Sequence, residues 1–512
     1  MLPEIQQFFN PPKDILWQAV WPTLIVILTG IVALILEIIR PKKTNGAIVV
    51  ASIIGLGVAL GAVFQQLGSA PAETLVGMVT MDRFGQVLQA LLIVSCAVVL
   101  LFSEGYLKGK RIPFGEFYPL ILWSTAGAMM MVSTKNLLMI FLGLEILSIA
   151  LYVLAGLSRN EARSEESAMK YFLLGAFATG FLLYGMALIY GATGSLHLDA
   201  IASAWPQTEG VTRPLLVMGL AFGLVGFCFK SAFVPFHQWT PDVYQGAPTN
   251  VTAFMAAGSK IAAIGALVRF LDASSSMIDI WMPALFWIAI LTMTVGNLVA
   301  LVQKDVKRIL GYSSIAHAGY LLVAILAHAK SPDTIGYQSL AFYLLSYAFM
   351  TLGAFATVTI VASHGKDHTL VKDLNGLWKR NPMAALALLL FMVSLIGMPP
   401  TAGFVGKFLI FRDAMSAGLM PLAIVLAVNS VISIYYYLGI AKAVFVSEVE
   451  EDQSAPLKLN PGLGAAVAVC AAGVLAATIF FDSIQNRFIG THDVVEYKLQ
   501  AQVPASNAVA ER

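Results

Sequence analysis

The stretch FKSAFVPFHQWTPDVYQGAPTNVTAFMAAGSKIAA, Phe229 to Ala263, decides the fold. It enters from an apolar run, places Lys230 near its end, and then meets Val234-Pro235-Phe236-His237-Gln238-Trp239 and Thr240-Pro241. Proline removes a backbone donor and clashes with the preceding turn, so this apolar segment cannot continue as a plain helix. A second apolar run follows, with Lys260 in its middle. Non-helical backbone at membrane depth is tolerated only where protein or water surrounds it. A lysine at the centre of a membrane helix costs about 2.5–3.5 kcal/mol. The stretch therefore predicts a broken membrane helix beside a buried cation.

The rest of the chain fits that frame. Of 512 residues, 58% are hydrophobic and 12% charged, and the mean hydropathy is +0.79. A soluble domain carries roughly twice that charged fraction. Apolar runs long enough for a hydrocarbon core of about 30 Å recur throughout. They are continuous rather than alternating, so they read as helices and not barrel strands. The expected spans are 15–39, 47–66, 84–106, 114–133, 136–157, 168–192, 213–233, 250–271, 280–302, 308–329, 335–363, 381–411, 418–446 and 462–481. The fold class is thus an all-α polytopic membrane protein of about 14 transmembrane helices. Cys96, Cys228 and Cys470 lie in apolar runs with no disulfide or metal spacing, and a net charge of +2 implies no nucleic-acid partner. An early apolar run without a basic leader reads as a retained first span rather than a cleaved signal. The tail from Thr491 reads as polar and frayed.

Lys and Arg number 18 in the loops after odd-numbered spans and 10 on the other side, both termini included. The positive-inside rule then puts the odd loops in the cytoplasm and both termini outside, on the periplasmic face of a bacterial inner membrane. A second break is expected at Gly397-Met398-Pro399-Pro400-Thr401-Ala402-Gly403, in span twelve. Broken helices at matching positions in two halves point to an inverted repeat. The expected organisation is a three-helix segment over 1–113, a five-helix repeat over 114–271 (spans 4–8), its inverted partner over 272–446 (spans 9–13), and a C-terminal helix with a polar tail over 447–512. Helices 7 and 12 are the broken members.

Six side chains are candidates for function. Glu145, in FLGLEILSIALY, lies about nine residues inside its span, roughly 13 Å from the end and beyond a carboxylate's reach to water. Lys260 lies about ten residues from either end, among Gly258, Ser259, Ala262 and Ala263. Lys230 borders the first break, and Lys407 follows the second by seven residues. His317, in LGYSSIAHAGYLLV, and His237, in the first break, titrate near pH 6.5 when unperturbed, which suits proton relay. The plainer readings are a structural ion pair for Glu145, a lysine reaching the interface for Lys230 and Lys407, and hydrogen-bonded packing for the histidines. Tyr312, Ser313 and Ser314 could support a water file or simply pack. One acid, three lysines and two histidines at membrane depth form a polar axis. A neighbouring carboxylate controls whether a buried lysine holds its proton, so Glu145 and Lys230 could act as a switch. The glycines from Gly55 to Gly61 lie inside a span and form a packing face, and Gly406-Lys407 is followed by Phe408, so neither is a nucleotide loop.

Three motifs carry a resemblance. The run Phe229 to Ala263, SLIGMPPTAGFVGKF from Ser394 to Phe408, and GLEILSIALYVL from Gly143 to Leu154 resemble the antiporter-like subunits of proton-pumping NADH:quinone oxidoreductase, respiratory complex I. The N-type members are the nearest in outline, since Lys407 stands where M-type members carry an acid and no long lateral helix follows the last span. The resemblance covers roughly residues 115–445. It implies an ion pair of Glu145 with Lys230, a central relay at Lys260 and an outward relay at Lys407. It implies no cofactor in this chain, with FMN, iron–sulfur clusters and quinone in other subunits. The implied partners are other membrane-arm subunits, including a neighbouring antiporter-like subunit and small membrane subunits, together with lipid. The implied function is a proton-translocating subunit driven by quinone reduction elsewhere. The rivals are a subunit of a multi-subunit sodium/proton antiporter and a structural scaffold with vestigial charges.

Overall fold

The apolar runs become helices whose first turns are closed by short polar side chains. The computed structural model describes residues 15–39, 46–112, 115–362, 367–448, 457 and 459–490. Of the basic residues that set the orientation, Lys13, Arg40, Lys42, Lys43, Lys366, Lys458, Lys498 and Arg512 lie outside these, as does the tail from Thr491. The helices are α1 Trp17–Ile39, α2 Gly46–Gln66, α3 Arg83–Gly109, α4 Phe117–Val132, α5 Leu137–Ala155, α6 Ala162–Thr193, α7 Thr212–Ser231 and α8 Trp239–Gly246. Then come α9 Thr249–Ala273, α10 Ile278–Ala300, α11 Val306–Lys330, α12 Gln338–Val358, α13 Pro382–Ile396, α14 Ala402–Ser416, α15 Met420–Phe445 and α16 Pro461–Ile479. Asp82, Asn136, Asp305, Asn381 and Asn460 each accept from the first turn of the helix they precede, which satisfies donors that have no intrahelical partner.

Among the described residues, twelve helices are long and apolar enough to cross a membrane. The expected fourth span and the first half of the expected twelfth are shorter apolar helices, α4 and α13. A count of fourteen therefore rests on these two rather than on length. The expected sixth span starts at Ala162 instead of 168, because Ser164, Glu165 and Glu166 extend its first turns as polar helix with the acids at the positive end of the dipole. Two features carried no expectation: a small hairpin, β1 Ala72–Thr74 with β2 Val79–Met81, and a π-turn, Met255–Ser259, inside α9.

Both expected breaks are present. Helix α7 ends at Ala232 in the left-handed region (φ +61°), and Ala232 and Phe233 N–H groups close back on Phe229 and Cys228 carbonyls. Helix α13 ends at Gly397 (φ +84°), closed in the same way by Gly397 and Met398 onto Ser394 and Val393. Between the halves, Val234 N–H donates to Thr292 Oγ1 at 3.0 Å. Beyond the second break, Thr401 caps α14 by accepting from Phe404.

Helices α9, α11 and α12 form the centre. Every residue in the most apolar window of α9 is buried, and α11 and α12 are nearly so, while α1, α2, α6 and α10 are mostly exposed on their outer faces. Polar groups on the central three therefore meet protein, not lipid. Close approach is set by glycine. A Cβ at Gly143 would lie 2.7 Å from the Gly127 carbonyl oxygen, and one at Gly185 2.7 Å from that of Gly219. Small residues let membrane helices touch backbone to backbone, which pins α5 on α4 and α6 on α7.

On the face that carries the hairpin, His197 and Lys135 tie loops together. His197 Nε2 lies 3.4 Å from Glu73 Oε2, and Lys135 Nζ lies 3.4 Å from Glu73 and 3.3 Å from Asp199. The Glu73 carboxylate beside it raises the His197 pKa above its ordinary value, against partial burial and the Lys135 charge, with Asp199 adding to the rise.

Two outcomes follow for the scaffold. Gly143→Leu should lower the thermal stability of the solubilised protein by about 1–3 kcal/mol, the usual cost of overpacking. An unchanged melting temperature would contradict the backbone approach. Because the folded pKa of His197 is raised, its contribution is fully present below the ordinary histidine pKa and is lost as pH rises through the raised value. Amide exchange over residues 72–81, corrected for intrinsic rates, should accelerate between pH 6 and 9, and His197→Gln should abolish that acceleration. The effect is small, since the groups are partly exposed.

Candidate functional site

The breaks and the central helices bring most of the candidate residues into one file. Lys230 stands in the last turn of α7, buried, where its ammonium donates to Ser148 Oγ at 2.8 Å and Tyr171 Oη at 3.0 Å. Ser148 is three residues along α5 from Glu145, on nearly the same face. Glu145 is half-buried and its Oε1 has no hydrogen-bond partner. No ion pair within 4.0 Å joins Glu145 to Lys230: Ser148 takes the lysine, and the carboxylate acts on it through space. The Tyr171 ring stacks on Trp239 at 4.7 Å, and its hydroxyl lies within reach of Ser259, the residue before Lys260.

Lys260 follows the π-turn directly. Such turns carry one residue more per turn than an α-helix and recur at functional positions. The Lys260 ammonium donates to the Ser314 carbonyl on α11 and lies 5.6 Å from the Tyr347 ring centroid. Tyr347 Oη donates to Ser314 Oγ at 2.8 Å. Three residues on, His317 bonds through Nδ1 to Tyr343 Oη at 2.6 Å and through Nε2 to Tyr437 Oη at 3.2 Å. Tyr437 also shares a hydrogen with Ser313.

Lys407, in the second turn of α14, reaches back across the break. It donates to the Leu395 and Ile396 carbonyls at 3.0 and 2.9 Å and sits 4.9 Å from the Tyr320 ring centroid. Those carbonyls are released where α13 ends, and the helix C-terminus is the negative end of its dipole, so the cation is held twice over. This answers the interface reading of Lys407: the amine is turned inward and buried. Ser313, Ser314, His317 and Tyr320 occupy one face of α11 over about 10 Å of rise. Helix α11 is therefore the spine that spaces Lys260, His317 and Lys407.

His237 is not brought in. It is half-buried in the first break, and no hydrogen bond links it to Lys230, Lys260 or His317. Tyr312 is also outside the file, whereas Ser313 and Ser314 are in it. The tyrosines Tyr171, Tyr320, Tyr343, Tyr347 and Tyr437 and the serine Ser148 received no attention in the sequence. Tyr343 and Tyr347, four apart on an apolar helix, were a readable signal. A second group went unread because Lys110 and Lys307 were counted as interfacial. Both are buried, and each lies 3.7 Å from Asp367, which also accepts from Tyr106 Oη at 2.8 Å.

The arrangement holds no thiolate or histidine cluster along the file. Its chemistry suits proton transfer: amines, an imidazole and hydroxyls, each hydrogen-bonded locally, stand in surroundings too apolar to carry ions freely.

The comparisons with known proteins agree on the family. Residues 134–433 match the family described as NADH:quinone oxidoreductase/Mrp antiporter, TM. An NADH-quinone oxidoreductase subunit N from Trichlorobacter lovleyi is 44% identical over 436 residues, covering 85% of this chain and 88% of that protein. A subunit N 2 from Symbiobacterium thermophilum is 43% identical over 503 residues, covering 93% and 95%. Among solved structures, a chain of respiratory complex I from Thermus thermophilus with bound aureothin is 37% identical, with TM-score 0.78 and coverage of 92% and 100%. A chain of the Mrp complex from Dietzia sp. shares the fold at TM-score 0.82 but only 20% identity, over 95% and 99%. Identity near 40% along nearly the whole chain, the family match over its central 300 residues, and the fold together place this protein in the NADH-quinone oxidoreductase subunit N family.

Proposed function

We propose that this chain carries protons across the membrane arm of an NADH-quinone oxidoreductase along the file Glu145–Lys230–Lys260–His317–Lys407, driven by quinone reduction in other subunits. The observation that carries the reading is the set of buried contacts that hold these groups: Lys230 on Ser148 and Tyr171, Lys260 on the Ser314 carbonyl, His317 on Tyr343 and Tyr437, and Lys407 against the Tyr320 ring, the last three spaced along α11. Glu145 biases the Lys230 end from one turn away. Lys407 closes the other end. His237 stays outside the relay in this arrangement.

The sodium/proton antiporter reading has less support, since the family over residues 134–433 embraces both kinds of protein and the Mrp chain is only 20% identical, while the relatives near 40% identity are named subunit N. Matching breaks after α7 and α13, each beside a lysine, support an inverted pair of five-helix units over 114–271 and 272–446. With α4 and α13 counted, the chain makes fourteen crossings of a bacterial inner membrane, with both termini periplasmic. FMN, iron–sulfur clusters and quinone then belong to other subunits of the parent complex, and the neighbours here are another antiporter-like subunit and small membrane subunits.

The reading stands or falls on pumping by the assembled complex. Lys260→Ala should cut NADH-driven acidification of inverted vesicles at least tenfold with assembly intact, and a normal gradient would reject the relay. Glu145→Gln should lower pumping several-fold, and Glu145→Asp should recover part of it. Equal loss in both would make position 145 a packing site instead. Affinity purification from gently solubilised membranes should recover flavin- and iron–sulfur-bearing subunits. Recovery of small membrane subunits alone would favour the antiporter.

A further inference from the structure

Away from the file, the molecule carries an open groove of about 1030 Å³ between the ends of α10, α11 and α15 and the loop before α13. Its walls are apolar and its mouth is not. Lys304 lies in the turn after α10, Lys372 in the short helical turn Val371–Leu374, and Lys442 in the last turn of α15, and all three line the groove. All three are exposed, and none has a carboxylate within 4.0 Å among the described residues. The acids beside Lys372 and Lys304 are engaged elsewhere: Asp373 accepts from Leu370 N–H, and Asp305 from Thr369 Oγ1 and Gln245.

The mouth is built rather than loose. Val371 N–H donates to the Lys304 carbonyl at 2.9 Å and Val306 N–H to Thr369 at 2.7 Å, which fixes the two lysine-bearing segments side by side. From Lys442 the lining runs back along α15 through Leu438, Tyr435 and Val431. The twelve residues from Val431 to Lys442 rise about 16 Å, which is about half the thickness of a hydrocarbon core. Gly439 sits in this wall with open space where a side chain would stand.

We propose that this groove binds an anionic phospholipid, its phosphate held by Lys304, Lys372 and Lys442 and its acyl chains laid along α15. Three unpaired cations over an apolar channel one leaflet deep match a charged head on two hydrocarbon tails. Basic pockets between membrane helices take such head groups, and each lysine near an anionic lipid surface contributes about fivefold in affinity. A protein segment seated here would have to bring three acids to the mouth. The site is independent of the proton file, so its failure and that of the relay are separable.

The test uses the complex purified from its own membranes, with co-purifying lipids extracted and quantified by mass spectrometry per mole of this chain. Wild type should retain anionic phospholipid that the triple variant Lys304→Gln, Lys372→Gln, Lys442→Gln loses, with binding roughly hundredfold weaker and zwitterionic lipid unchanged. Gly439→Trp keeps every charge but fills the channel, and should lose the same lipid even if the triple variant fails to assemble. A photoreactive side chain at Tyr435 should yield a lipid adduct. Unchanged anionic lipid in both variants would overturn the proposal. So would an adduct to another protein, or to this chain's own acidic stretch from Glu448 to Asp452.

Discussion

Inside a bilayer a backbone carbonyl without a donor costs several kcal/mol, and the two broken helices release such carbonyls at membrane depth. The way each is met organises the protein. At the second break, Lys407 donates to Leu395 and Ile396, so the carbonyls freed by Pro399 and Pro400 become the seat of a buried cation. At the first, Trp239 Nε1 donates to the Phe229 carbonyl, and Thr292 accepts from Val234 across the gap. An unsatisfied backbone and an unpaired ammonium are each expensive in hydrocarbon. Placed together they answer one another.

The central helices make that exchange possible by keeping lipid away. Glycine contacts press α4 on α5 and α6 on α7, and α9, α11 and α12 are left with no outward face. Helix α11 then does two jobs with one turn of its sequence. Its Ser314 carbonyl takes Lys260, and its His317 ring reaches two tyrosines on other helices. The charges stay apart while the hydroxyls between them connect.

Much of this was legible in the residues. Apolar runs of the right length gave the helices, Pro235 and Pro241 gave the first break, Pro399 and Pro400 between Gly397 and Gly403 gave the second, and mid-span charge marked Glu145, Lys260 and Lys407 as residues that could not be explained by lipid. What escaped reading depends on the third dimension. Tyr343 and Tyr437 are ordinary membrane-helix residues until α12 and α15 bring them to His317. The insertion of Ser148 between Glu145 and Lys230 could not be seen from spacing, because a serine three residues from an acid in a helix has no signature of its own. The π-turn before Lys260 hides in MAAGS, a string with nothing against a regular α-helix. His237 is the reverse case: its place in the break was visible, but not which groups its side chain would meet, and no hydrogen bond joins it to Lys230, Lys260 or His317.

The string of hydroxyls around His317 carries a consequence for timing. Tyr343, His317, Tyr437 and Ser313 form a line of three contacts in which either partner can be the donor, depending on the tautomer of the ring and the turn of each hydroxyl. When a proton is handed along such a string, every member passes on its own hydrogen and takes the next, so all are left facing the other way. A second proton in the same direction must wait until each rotor has swung back. The four groups are buried, so each would have to turn inside the packed core and not in solvent. Were protons to pass this way, the string would keep a memory of the last passage, and erasing it would set an interval between one proton and the next.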